Sequence, residues 1–293
     1  MKKLLLLTAT IVLSFSSLAQ SYDQENFAAA KRQNLNLPNG VEGYRIERVN
    51  IFNSAQTISV IRYSPKHLTT AIVLPEKLSP HSQTATANGA DFGVNAGYWN
   101  VKNSIPSTFL RINGNQIATT ANFEKERVDG VVCLAKNRVI IDHCKAGQER
   151  AYAAKYDDIL ASGPMLIDEG KSVDHEAFSK NLIDNSNGED IGAYYTIIRR
   201  HPRTAIGTDR KGNVYLIVVD GRSKGNAEGL TIAELTKVCE WIGLRDAINL
   251  DGGSSSTMWG ATEGVINYPS RNKKFDHEGE RRVSSIIAVK SKK

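Results

Sequence analysis

Cysteine is scarce: three residues in 293, at positions 133, 144 and 239. No CxxC and no Cys/His set with zinc spacing exists, so no zinc site is indicated. Cys133 and Cys144 flank the hairpin VVCLAKNRVIIDHC. With its turn at Lys136–Asn137, Cys133 faces Ile140, and Cys144 lies about four strand residues beyond. That is roughly 13 Å, out of disulfide reach. Three free, mostly buried thiols are expected. Proline is also sparse, with 8 residues, and charge is scattered, which argues against a long disordered tract. HExxH, GxSxG and GxGxxG are all missing. Gly170-Lys171-Ser172 resembles the end of a P-loop, but Met165 stands where that motif needs its first glycine.

Excess charge of one sign is nearly absent from the body of the chain. The formal +6 falls to +4 without Lys2 and Lys3, and to +1 without Lys290, Lys292 and Lys293. No electrostatic footprint for nucleic acid remains. Long apolar runs are missing as well, save LLLLTATIVLSF after Lys2-Lys3. That run is shorter than the roughly 20 residues a membrane span needs. Followed by Ser17-Leu18-Ala19, it reads as a signal peptide over 1–19, cut before Gln20. The mature chain is expected to be periplasmic or secreted, with no membrane span after cleavage. No cysteine follows the cut to carry a lipid.

What is present is strand sequence punctuated by turns. YRIERVNIFNSAQTISVIRYS predicts two strands around a turn near Asn53–Ser54, and TTAIVLPE a third. Residues 20–75 thus form a strand-rich N-terminal accessory region, and 76–293 the main domain. Within it, 79–90 reads as a short helix, 92–99 as a buried strand, and Asn113-Gly114-Asn115 as a hairpin turn. Residues 172–198 are polar and irregular, as a surface loop or insertion would be. TIAELTKVCEWIG is the best helix: Thr231 and Glu234 form a capping box, and Gly243 sits at the C′ position. The fold class is α+β, a mixed, largely antiparallel sheet with a few packed helices. It forms a single main domain with a small N-terminal strand-rich extension.

Polar residues beside glycines cluster at the ends of apolar strands. In Gly93-Val94-Asn95-Ala96-Gly97-Tyr98-Trp99, Asn95 stands between small residues, suiting either close ligand approach or a tight bend. Ser162-Gly163-Pro164 is a rigid turn or part of a site. Arg203 opens one strand and Asp220-Gly221-Arg222 closes its partner, so both arginines could meet a phosphate or carboxylate. A surface ion pair with Asp220 or Asp209 would use them equally well. Leu250-Asp251-Gly252-Gly253-Ser254-Ser255-Ser256-Thr257 is the sharpest signal. A structural turn explains its glycines but not its run of hydroxyls, which suit an anion or a sugar.

GVNAGYW, SGPMLIDEGK, HPRTAIGTDRKGNVYLIVVDGR, GLTIAELTKVCEWIGLRDAINLDGGSSSTMW and ERRVSSIIAV, in that order, resemble the phosphodiester glycosidase family over roughly residues 90–293. Asn95 and Gly97 match its Asn-Gly motif, with Ala96 where a second glycine is commoner. Gly163-Pro164, Arg203-Thr204, Asp220 with Arg222, and Asp251-Gly252-Gly253 match in turn. Glu280 and Arg281 fit the Glu-Arg before the last strand, although Arg282 replaces the usual proline. The resemblance implies cleavage between a sugar's anomeric carbon and a phosphodiester, as in GlcNAc-1-phosphodiesters.

The residue types suit that chemistry. A carboxylate is wanted beside the developing oxocarbenium ion, with Asp251 first choice and Asp220 second. Arg203, Arg222 and Arg281 would hold phosphate. Asn95 and the hydroxyls of Ser254, Ser255 and Thr257 would orient sugar or phosphate oxygens. No cofactor is required and no metal is expected, although an aspartate-rich pocket could hold Ca²⁺. The rival reading is a non-catalytic envelope protein that binds anionic glycans or phosphoglycans in the same cavity.

Overall fold

A computed structural model of the chain describes residues 22–175 and 196–292. The leader and most of the 172–198 insertion lie outside the described residues. Three sheets carry the fold. The largest has eight strands in the order Arg32–Asn34, Glu42–Ile51, Ser54–Tyr63, Val214–Val219, Arg203–Thr208, Asp246–Asn249, Met165–Asp168 and Lys171–Ser172. A second sheet joins Leu110–Ile112 and Asn115–Ala118 to Asp158–Ser162, Gly130–Ala135 and Arg138–His143. The third places Ile286–Ser291 between Phe92–Asn95 and Leu68–Val73, with Met258–Gly260 and Gly264–Val265 beyond. Every strand pairing among the described residues is antiparallel.

Burial follows from the runs of apolar residues. Val214–Val219 is covered on both faces, as its unbroken VYLIVV sequence requires. Ile206, Leu216 and Ile248 face Phe92, Leu160 and Ile287 of the other two sheets, which makes the central core. On the opposite face Leu235, Val238 and Cys239 of the helix Ile232–Ile242 pack against Leu166, Ile217 and Ala247. Thr231 and Glu234 make the reciprocal capping box at its start, and Gly243 ends it at φ 88°.

The N-terminal extension is stitched into these sheets. Ser54–Tyr63 pairs along its length with Val214–Val219, and Leu68–Val73 with Ile286–Ser291. In the 130–143 hairpin Cys133 lies opposite Ile140, the expected register, and all three cysteines are free and buried. What matters for function is where strands end. Arg203 pairs with Val219, Ala205 with Asn249, and Asn95 with Ile286. The segments 95–99, 201–203, 220–222 and 249–253 therefore leave their strands at neighbouring edges.

Candidate active site

At those edges lies a cavity of about 170 Å³. Among the described residues Asp251 is the carboxylate that lines it, set beside Arg127, Arg203, Arg222 and His201. Tyr98, Asn249, Gly252 and Gly253 complete most of the wall. Burial pushes the Asp251 carboxyl up to about 6, against the opposing pull of the Ser255 hydroxyl and the charges of Arg281 and Arg127. His201 moves the other way, to about 4, first through burial and then through Arg203, Arg222 and Arg199. Its imidazole is thus neutral at pH 7, able to exchange hydrogen bonds but adding no charge.

The arginines are held differently. Arg203 is almost wholly buried and donates through Nε to Leu230 O at 2.7 Å and through Nη2 to Thr196 O and Arg199 O. Burial lowers it to about 10. It orders the chain around the cavity while presenting charge to it. Arg222 sits at φ 64°, a conformation unfavourable to a residue with a Cβ. Its guanidinium lies 3.1 Å from where a Cβ on Gly253 would stand. The glycine therefore makes room for that group. Arg281 stacks on Trp99 with Cζ 4.5 Å from the ring centre, and its Nη1 donates to Ser255 Oγ at 3.5 Å. Arg127 lies 5.5 Å over the Tyr98 ring and 3.4 Å from Glu124 Oε2.

Beneath the wall lies a layer of hydrogen bonds among residues expected to meet substrate. Asn95 Oδ1 accepts from Thr204 Oγ1 at 2.7 Å and Thr257 N at 3.0 Å, while its Nδ2 donates to Asp251 O at 2.5 Å. Its amide is consumed by the fold, and none of Asn95, Thr204, Ser254, Ser255, Thr257 and Arg281 is among the lining residues. Gly97 N donates to Ser285 Oγ, and a Cβ there would stand 2.7 Å from Leu160. Gly163 precedes a cis proline and accepts from the Tyr98 hydroxyl and Asn249 Nδ2. A Cβ on it would fall 2.0 Å from Arg127 O, so its smallness lets the Arg127 segment approach. These residues support the site from behind, where sequence reading placed them in contact with ligand.

Asp220 also parts from its expected place. It is wholly buried, its Oδ1 accepting from Asn267 Nδ2 at 2.8 Å and Tyr268 N at 2.9 Å. It does not line the cavity, because this second segment draws its carboxyl inward. Conversely, Tyr98, Arg127, His201 and Asn249 line the wall although sequence pattern singles none of them out for chemistry. Tyr98, His201 and Asn249 lie inside the segments GVNAGYW, HPRTAIGTDRKGNVYLIVVDGR and GLTIAELTKVCEWIGLRDAINLDGGSSSTMW. Arg127 lies in the polar stretch FEKER, which carries no strand-end signal. Among the described residues no three His, Cys, Asp or Glu side chains gather as a metal site.

Among known proteins, the phosphodiester glycosidase family model matches residues 88–290, a stretch that holds every lining residue of the cavity. The chain belongs to this family. It is 36% identical over 94 residues to bovine N-acetylglucosamine-1-phosphodiester alpha-N-acetylglucosaminidase. That alignment covers 30% of the chain and 16% of the bovine protein. The catalytic domain of the zebrafish enzyme of that name, auto-inhibited by its pro-peptide, shares the fold with a TM-score of 0.67. The match has 15% identity and covers 89% of this chain and 88% of that one. A hypothetical protein from Synechocystis is similar too, with a TM-score of 0.66 and 16% identity over 90% of this chain and 64% of its own. The shared fold includes the N-terminal strands that the family model leaves out.

Proposed function

We propose that the chain is an exported hydrolase that cleaves the bond between a sugar's anomeric carbon and a phosphodiester. Export rests on the leader, with its two lysines, apolar run and small residues at 17 and 19. The name of the bovine relative makes GlcNAc-1-phosphodiesters the first substrates to try. The observation that carries the reading is a half-buried carboxylate, Asp251, within a wall of arginines.

Such a site suits this reaction better than ordinary glycoside hydrolysis. The leaving group is a phosphate monoester, whose second pKa is about 6, so it departs with little need of a proton. One carboxylate can then suffice where two are usual. Asp251 acts at the anomeric carbon, as nucleophile or as base toward water. The C1–O bond breaks with its electron pair passing to the phosphate oxygen, and water supplies the new hydroxyl. Arg127, Arg203 and Arg222 line the cavity and stabilise the phosphate as charge collects on it, and Arg281 adds its charge from outside the lining. Neutral His201 offers a hydrogen bond to a sugar or phosphate oxygen.

Incubation with a panel of sugar-1-phosphodiesters, followed by detection of free sugar, tests this. Release of sugar from at least one member is expected. Tight binding without release would instead make the chain a glycan-binding protein.

A further inference from the structure

A second and larger concavity, about 870 Å³, shares no lining residue with the Asp251 cavity. Its walls are the turn at Pro65–Lys66, the hairpin tip 135–138 and the far end of the strand Ile286–Ser291. That strand links the two sites. Ile286 pairs with Asn95, which holds Asp251, whereas Ser291 pairs with Leu68 at the groove. Five residues of strand separate them, roughly 17 Å.

The groove collects Lys66, Lys136, Arg138, Lys290 and Lys292, with no aspartate or glutamate among its lining residues. Some surface cations sit in ion pairs, as in Arg62 with Glu42, Arg200 with Glu234 and Lys237 with Glu240, whereas here five cations share one concavity. None of these five joins an ion pair among the described residues. Their arrangement is built. Lys292 Nζ donates to Pro65 O at 3.0 Å, Lys66 O at 2.6 Å and Asn137 Oδ1 at 2.5 Å, using all three of its protons. It thereby fastens the Lys66 turn to the Lys136 tip across one end of the groove. Lys66, Lys136, Arg138 and Lys290 remain for a ligand, with the Thr69 hydroxyl in the same lining, whereas the Ser291 hydroxyl donates to Asp91 Oδ2 at 2.7 Å. Like charges gathered in a concavity repel one another and concentrate positive potential there. An anion with several charges would relieve that repulsion.

We propose that this groove binds a linear glycan whose sugars are joined through phosphodiesters, a polymeric form of the substrate proposed for the Asp251 cavity. The polymer class rests on that reading; the groove's preference for a polyanion does not. A chain held here would keep its scissile linkages near the cavity at the other end of the strand.

The test uses the mature protein and a fluorescent synthetic oligomer of sugar-1-phosphates joined by phosphodiesters, titrated at several salt concentrations. The double variant Lys136→Glu/Arg138→Glu alters an exposed hairpin tip remote from the cavity. It should bind the oligomer more than tenfold more weakly and lower the slope of log K against log salt by about two. Hydrolysis of a small, non-polymeric sugar-1-phosphodiester should be unchanged. Equal oligomer binding by variant and wild type would overturn the proposal, as would equally tight binding of an oligogalacturonate of matched charge. If small diesters are not cleaved but the variant still loses the oligomer, the groove stands and the catalytic reading falls.

Discussion

Asn95 donates its side-chain amide to the main-chain oxygen of Asp251 at 2.5 Å, across 156 positions of sequence. The same side chain receives Thr204 Oγ1 and Thr257 N, so one buried amide fixes three segments that bear on the cavity. Asn95→Ala leaves those donors and that acceptor without partners. Stability should fall by about 2–4 kcal/mol, read from denaturant melts. Because Asn95 lies behind the wall, turnover should fall with it through displacement of Asp251. Unchanged stability would mean the three bonds contribute little.

Asp251→Asn keeps shape and hydrogen-bonding capacity but removes charge. Turnover on a sugar-1-phosphodiester should drop by about 10²-fold or more with little change in affinity, since the lost interaction belongs to the transition state. In the wild type, kcat should rise with pH through about 6, where Asp251 ionises, and then level off. Steady-state kinetics across pH 4–8 on both proteins decide the matter. A stable variant with wild-type turnover would remove Asp251 from the reaction.

Arg222 separates function from stability in another way. Its φ of 64° suits glycine better than arginine. Arg222→Gly should therefore leave the melting temperature unchanged or higher. It should also raise KM for the phosphodiester by about tenfold or more, because a charge-assisted contact to phosphate is gone. A fall in melting temperature with KM unchanged would make the arginine structural.

Asp220 titrates as a buried acid. Burial pushes it up to about 7, so between pH 4 and 7 the folded state holds a proton that the unfolded state releases. Its contribution to stability is full below about pH 4 and is lost as pH rises through 7. Asp251 and Asp129, each raised to about 6, act in the same direction. His81, lowered to about 3, and His175 and His201, lowered to about 4, oppose them, costing stability as pH falls below 6.5. The whole-protein curve is their balance, so the variant difference is the clean observable. Asp220→Asn can still accept from Asn267 and Tyr268. Relative to wild type it should gain stability from pH 4 to 8, on the order of 1–4 kcal/mol. A flat difference would show that Asp220 is not protonated in the fold.

Local pattern made much of this architecture legible. Turn chemistry at Lys136–Asn137 sets Cys133 opposite Ile140, and the Thr231–Glu234 box starts the helix where periodicity puts it. Strand ends bearing Arg203, Arg222 and Asp251 converge for the same reason: apolar runs fix the register, and register fixes the edge. The rest depends on partners far along the chain. Nothing near Asp220 announces that Asn267 will cap it, so a buried acid reads as a catalytic one. Nothing in FEKER shows that Arg127 will settle over Tyr98. Asn95 looks free in sequence because its three partners lie more than a hundred positions away.

The placement of Ile286–Ser291 between Phe92–Asn95 and Leu68–Val73 orders events during folding. Asp91 and Ser291, bonded at 2.6 Å, are 200 positions apart. Until the later strand arrives, both earlier ones expose an unpaired edge, which invites pairing between chains. Closure over so long a loop also makes assembly slow. A chain truncated before Ile286 should therefore aggregate, with neither the Asp251 cavity nor the lysine groove complete.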